Sequence, residues 1–137
     1  MKLQSNEELI KVPSERLFGY LSTLCDTSSQ AFQELNKVAD VKPETDGFSF
    51  AIANMFNCRL RLLEAKPNSM VSYHLDTDKS ISATASFTMQ DDGPDTRLQL
   101  AVDADVPFLL KAMIEKPLQQ GIGQMMAKIK ELAEQQL

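Results

Sequence analysis

Between residues 48 and 104 apolar and polar positions alternate with a period of two. "FSFAIA" sets Phe48, Phe50 and Ile52 on one side, and in "NCRLRLLEA" Cys58, Leu60 and Leu62 share a side with Arg59 and Arg61 opposite. "MVSYHLDT" sets Val71, Tyr73 and Leu75 against Ser72, His74 and Asp76. Ala83, Ala85, Phe87 and Met89 alternate in "SATASFTMQ", and Leu98, Leu100, Val102 and Ala104 do so in "TRLQLAVDA". Successive side chains of a strand leave on opposite faces, so this period predicts strands. Alternation this regular implies an antiparallel meander with one dry and one wet face. "KPNS" and "DDGPD" supply turn chemistry between the strands, and Asp46-Gly47 ahead of Phe48 is a tight-hairpin signal.

The flanks read differently. "LQSNEELIKV" carries Leu9, Ile10 and Val12 with imperfect alternation, which predicts a first strand containing a bulge. In "PSERLFGYLSTL" Pro13 suits a helix start, Glu15 complements the helix dipole, and Leu17, Leu21 and Leu24 form a stripe. A second helix follows in "TSSQAFQELNKV", with Thr27 and Gln30 as a capping box and Ala31, Phe32, Leu35 and Val38 as its apolar face. The last third reads as one long helix whose stripe is Leu118, Ile122, Met125, Ile129 and Leu132. Within it, "MIEKPLQQGIGQMM" holds a proline, two glycines and three methionines. Pro117 removes the hydrogen bond to the Met113 carbonyl, so a kink or a break is expected there. Gly121 falls on the side of the stripe, where a glycine costs about 1 kcal/mol relative to alanine. Close approach to the sheet, or space for a ligand, would offset that cost. Strand, two short helices, a run of strands and a long helix predict an α+β layer of about seven strands, its dry face covered by the C-terminal helix.

Composition narrows the function classes. A chain of 137 residues is expected to form one domain over residues 1–137. Its net charge is -5 and its basic residues are scattered apart from Arg59 and Arg61, so nucleic acid is not an expected partner. "MKLQSNEELIKV" has no signal-peptide core, and no run of ~18 apolar residues occurs, so a cytoplasmic protein without stable membrane insertion is expected. Cys25 and Cys58 lack metal-ligand spacing and read as reduced, buried thiols. No P-loop, dinucleotide fingerprint or nucleophile elbow is present, and "GIG" at 121–123 lies inside a helical stripe. Neither a metal nor a cofactor is expected. Parity puts His74 on the wet face and Tyr73 on the dry one. Glu64 continues the inward parity of Cys58, Leu60 and Leu62, and Glu7 points inward if the first strand has no bulge.

The order of elements, with "VPSERLFGYLSTL" after the first strand and the closing "DVPFLLKAMIEKPLQQGIGQMMAKIKELAEQ", resembles the START-related superfamily, often called SRPBCC, which includes the birch-pollen allergen and polyketide cyclases. The closing stretch is similar to small bacterial members. The resemblance implies a helix-grip: a curved antiparallel sheet wrapped around a long C-terminal helix, with two short helices closing one end. It further implies an apolar cavity between helix and sheet, walled here by Phe50, Leu60, Tyr73, Phe87, Leu100, Leu118, Gly121, Ile122 and Met125. The function it implies is noncatalytic binding or transport of a small hydrophobic molecule, lipid-like or polyketide-like. The superfamily shares no catalytic motif, so no catalytic residue is carried over. Two other classes stay open: a cyclase-like or hydrolase-like enzyme using Tyr73 with an inward carboxylate, and an interaction module whose core is filled by its own side chains.

Overall fold

The computed structural model describes residues 1–38, 41–44, 47–52 and 56–137, with Leu35, Val38, Ile52, Phe56 and Gln136 described by backbone alone. In chain order the elements are β1 (Lys2–Gln4), β2 (Glu8–Ile10), α1 (Ser14–Leu21), α2 (Gln30–Val38), β3 (Lys42–Glu44), β4 (Gly47–Ile52), β5 (Phe56–Lys66), β6 (Met70–Thr77), β7 (Ser82–Asp92), β8 (Asp95–Asp105) and α3 (Phe108–Gln136). The strands form one antiparallel sheet in the order β1-β8-β7-β6-β5-β4-β3, with β2 also paired to β8. This is the α+β helix-grip expected from the alternating strands and the closing helix.

Register carries the sequence alternation across the sheet. Leu60, Leu75, Ala83 and Ala104 stand in one cross-strand row. Leu62, Tyr73, Ala85 and Val102 stand in the next, and Val71, Phe87 and Leu100 in a third. Directly opposed residues share a face, so these rows make up the dry side. The five strand positions expected there, Phe50, Leu60, Tyr73, Phe87 and Leu100, all have this facing.

Two irregularities reset the parity. On β5 Leu62 faces Tyr73 but Glu64 faces Ser72, so Leu63 is the extra residue of a β-bulge. Glu64 therefore turns to the wet face, correcting its expected inward facing, and lies 3.7 Å from the Lys66 ammonium. The first strand is split in the same way: Gln4 faces Ala101 and Glu8 faces Leu98, one residue more on the first strand than on β8. Ser5 bridges the gap, its amide donating to the Leu100 carbonyl at 2.8 Å and its hydroxyl accepting from the Leu100 amide at 3.0 Å. The bulge read from the imperfect alternation is present, and it leaves Glu7 exposed. The split also accounts for eight strands among the described residues where about seven were expected.

At β4, Gly47 sits so close to β5 that a Cβ would lie 1.8 Å from the Leu60 carbonyl oxygen. The β3–β4 pair sets Glu44 against Gly47; the tight hairpin expected at Asp46-Gly47 falls partly on residues 45 and 46, which lie outside the described residues. The cap of α2 is also displaced from Thr27: the Ser29 hydroxyl accepts from the Phe32 amide at 3.0 Å. Ala31 and Phe32 are buried as the apolar face required, while the side chains of Leu35 and Val38 lie outside the described residues.

The long helix packs over β1, β2 and β8, along one side of the sheet. It also covers that edge: Gln119 Nε2 donates to the Gln4 carbonyl at 3.2 Å, and Glu134 accepts from the Lys11 amide at 2.9 Å. The helix runs through Pro117 without a break. Pro117 and Met113 are both exposed, so the carbonyl freed by the proline is on the water side. The core stripe is Ile114, Leu118, Ile122, Met126, Ile129 and Ala133. Met125, expected in the stripe, is 44% exposed and Met126 replaces it at 2%. The reason is geometric: each step of four residues rotates about 40° past a full turn, and the helix follows that drift across the curved sheet. Gly121 is likewise exposed, and a Cβ added there would meet nothing within 4 Å, so it makes no close approach to the sheet.

Candidate functional site

The nine side chains expected to wall a cavity separate into three groups. Tyr73, Phe87, Leu100 and Ile122 are buried in the main core, with Tyr73 and Phe87 edge to face at 6.5 Å between ring centroids. Phe50, Leu60 and Leu118 are half-buried. Gly121 and Met125 lie on the outer side of α3 and form no part of an inner wall. Of these, Phe50 packs against the smaller cluster of Phe32, Val41 and Phe48, while Leu60 belongs to a partly exposed apolar strip on the dry face. Leu60, Leu75 and Ala85 on the dry face, with Leu110 and Leu118 of α3, are partly exposed and pack against the core. Leu62, in the same face, is 41% exposed. The strip is open because α3 lies on the β8 side and α1 covers β6, β7 and β8.

The Tyr73 hydroxyl is fully engaged. It donates to the Leu21 carbonyl at the end of α1 and accepts from the Leu24 amide at 3.3 Å. Burial pushes its pKa well above the ordinary tyrosine range, and nearby Cys25 adds to the rise. Its role here is to satisfy backbone groups that the end of α1 would otherwise leave orphaned. Glu64 is on the opposite face of the sheet, so Tyr73 and the expected inward carboxylate do not come together.

Among the described residues the buried carboxylate is Glu34, which does not figure among the residues expected to carry chemistry. It is 7% exposed on α2 and accepts from the Tyr20 hydroxyl at 2.7 Å and from Gln30 Nε2 at 3.0 Å. Burial, then the hydrogen bond and charge of Glu34, push the Tyr20 pKa far up. The sequence does hold a signal for it: position 34 lies three residues after Ala31 and four before Val38, on the apolar face of α2. The pair joins α1 to α2. A second polar link runs from the Ser14 hydroxyl to Asp91 at the far end of α1.

Cys25 and Cys58 are free thiols, both pushed up to about 11 by burial, with the Asp78 charge adding at Cys58. Cys25 Sγ donates to the Leu60 carbonyl at 3.6 Å. His74 is on the wet face as parity required, 3.0 Å from Asp76 and opposite Arg61. Among the described residues no group of histidine, cysteine and carboxylate side chains could hold a metal ion. No described helix is long and apolar enough to cross a membrane. Two clefts open near the β3 edge. One of about 270 Å³ lies around Gly47, Arg59, Arg61 and Asp76, and one of about 490 Å³ around Phe50, Cys58, Thr77 and Asp78. Neither is lined by Tyr73 or by α3.

No family model matches the chain, and no curated protein matches it significantly. Solved structures do. Protein MLL2253 from Mesorhizobium loti superposes with a TM-score of 0.72 at 18% identity, covering 100% of this chain and 99% of that one. The Aha1 dimer from Colwellia psychrerythraea gives a TM-score of 0.64 at 12% identity over 98% and 96% of the two chains. DynU16, from the dynemicin biosynthetic locus, gives 0.64 at 10% identity over 97% of this chain, which spans 47% of that protein's length. At these identities the likeness is one of fold: the chain has the helix-grip architecture of small bacterial proteins.

Proposed function

We propose that the chain, as a single helix-grip domain of the START-related group working in the cytoplasm, binds a small hydrophobic molecule without catalysis. The observation that carries this reading is the partly exposed apolar strip of Leu60, Leu62, Leu75 and Ala85 on the dry face of strands β5 to β7. A sheet face with inward parity is normally sealed. Here Leu60, Leu62 and Leu75 keep access to water while the neighbouring Tyr73, Phe87 and Leu100 do not. An exposed apolar surface of this kind costs free energy until something covers it. Among proteins of the same fold, one comes from the dynemicin biosynthetic locus, which supports a small-molecule ligand.

The chemistry of the strip favours binding over catalysis. Tyr73 gives its hydroxyl proton to the Leu21 carbonyl and accepts from the Leu24 amide, and Glu34 is engaged with Tyr20 and Gln30. A ligand burying roughly 300 Å² of apolar surface would gain about 7 kcal/mol before association costs, which corresponds to micromolar or weaker affinity. The test is saturable binding of an apolar fluorescent probe, with native mass spectrometry of the protein purified from its own host. A bound apolar molecule, and loss of probe binding in Leu62→Glu with an unchanged melting temperature, support the reading. Absence of saturable binding together with an empty native protein leaves the self-filled core in its place.

A further inference from the structure

The wet face of the sheet holds its charges apart. Arg59 and Arg61 stand on β5, and Asp103 and Asp105 stand on β8, three strands away. Register sets them on matching levels. One cross-strand row runs Arg59, Asp76, Ser82 and Asp105. The next runs Gly47, Arg61, His74, Thr84, Asp103 and Lys2. Both arginines, both aspartates and Lys2 are exposed, and none makes an ion pair among the described residues. Asp76, directly opposite Arg59, is instead bonded to His74 at 3.0 Å. Between the charged strands, β6 and β7 present short side chains outward, with Ser72, Ser82, Thr84 and Ser86 around His74. Both α1 and α3 pack on the dry side, so the wet face is the convex side of this helix-grip sheet. Its crest is therefore low and flat, and its long charged side chains lie on the flanks.

We infer that this face pairs with the same face of a second copy of the chain, about a two-fold axis along the strands between β6 and β7. Rotation about that axis keeps every row at its level. It lays β5 over β8 of the second copy, β6 over β7 and β4 over β1. Arg59 then meets Asp105 of the second copy and Arg61 meets Asp103, and symmetry repeats both pairs. Lys2 comes to stand over the cleft of about 270 Å³ at Gly47, where Glu44 and Asp76 line the wall. Two further rows bring Ser72 over Ser86 and Met70 over Thr88, and in none of the four rows does a charge face a like charge. The short side chains let the crests approach to about 10 Å, and the arginines and Lys2 span the widening gap on the flanks. Four rows across six strands cover roughly 800 Å², the area per partner of a standard interface. A polyanion is a poorer match, because the aspartates share the face and the net charge is -5. The apolar strip is on the opposite side of the sheet, so the pairing is independent of ligand binding.

Sedimentation equilibrium over a wide concentration range tests it. The native chain should dimerise, and its dissociation constant should rise at least tenfold between about 0.05 and about 0.5 M NaCl, because the contact is made by charge. Arg61→Glu should raise the constant at least tenfold at low salt, with an unchanged circular dichroism spectrum and melting temperature, since the side chain is exposed. Adding Asp103→Arg reverses the pair and should restore the dimer. Arg59→Glu with Asp105→Arg makes the same exchange one row away, should Arg61→Glu fail to fold. Lys116→Glu, on α3 across the sheet, should change nothing. A monomer at every concentration, a dimer indifferent to Arg61→Glu, or a reversed pair that does not restore the dimer overturns the inference. So does a monomer that binds heparin and loses that binding in Arg61→Glu.

Discussion

Replacing Gly47 by alanine would put a Cβ 1.8 Å from the Leu60 carbonyl oxygen, 2.9 Å from its carbon and 3.2 Å from the Arg61 Cα. All three are backbone atoms of the paired strand, so none can rotate aside. β4 and β5 would have to part at this position by roughly 1 Å or more to restore ordinary contact distances. Overpacking of this kind costs ~1–3 kcal/mol, and each ladder hydrogen bond lost adds ~0.5–1.5 kcal/mol. Relief of the glycine's own entropic cost returns only about 0.5–1 kcal/mol. The net expectation is a loss of about 2–4 kcal/mol, or roughly 8–16 °C in melting temperature for a domain of this size. Gly121→Ala is the matched control. Its methyl meets nothing within 4 Å on an exposed helix, so the same substitution should add up to ~1 kcal/mol by helix propensity. Urea titrations followed by circular dichroism give both values from the midpoint at constant slope. A Gly47→Ala protein within about 0.5 kcal/mol of the parent, the range of a neutral surface change, would refute the close approach of β4 to β5. A destabilised Gly121→Ala would count against the outward placement of that face of α3.

Tyr73→Phe should cost about 1–3 kcal/mol, measured by the same titration, because it leaves the Leu21 carbonyl and Leu24 amide without their partner. Pro117→Ala should leave the fold intact and raise stability by up to ~3 kcal/mol, since the proline interrupts an exposed stretch of continuous helix; a fall in stability would contradict this. Tyr20 and Tyr73 both have folded pKa values raised above the unfolded value of 10.0. Above pH 10 the unfolded chain therefore holds fewer protons than the folded one, so stability is complete below pH 10 and declines as pH rises beyond it. Alkaline melting curves should show that decline, and Tyr20→Phe should flatten it. Cys25 and Cys58, each pushed up to about 11, should react with a disulfide reagent at about pH 8 far more slowly in the folded than in the unfolded chain.

The strands are legible in the sequence because alternation is a one-residue property: each position declares its face without knowledge of the rest of the chain. That property fails wherever an extra residue enters, and β5 illustrates how. Nothing in "RLLEA" announces that Leu63 rather than Leu62 leaves the register, so counting by twos carries Glu64 inward. The first strand is easier to read because its hydrophobic pattern is visibly irregular. The long helix misleads for a different reason. Spacings of three and four are both compatible with one stripe, and the choice between Met125 and Met126 depends on how the helix crosses the sheet. The facing of position 121 goes wrong with the same stripe. Glu34 escapes a reading by sequence because a carboxylate on an apolar helix face is ordinarily assigned to water, and the partner that keeps it buried, Tyr20, belongs to another helix.

The bulge at Leu63 also bears on what the dry face can do. Had β5 kept its register, Glu64 would have joined Cys58, Leu60 and Leu62, adding a carboxylate to the strip beside Tyr73. The extra residue turns it to the wet face, where Lys66 and solvent receive it. What remains along β5 on the inner side is Phe50's neighbour Cys58, then Leu60 and Leu62, and the Cys25 thiol above them donates to backbone. A carboxylate in such surroundings would need a partner or would have to take up a proton. Moving it across the sheet removes that demand and removes with it the group most able to act as an acid or base. A ligand in the strip is then held by excluded water and shape rather than by charge, so its affinity should be nearly independent of ionic strength and of pH between about 5 and 8. Probe titrations across those ranges decide the matter: a dissociation constant that moves tenfold or more with either would require a charged group in the strip, and the bulge would not have cleared it.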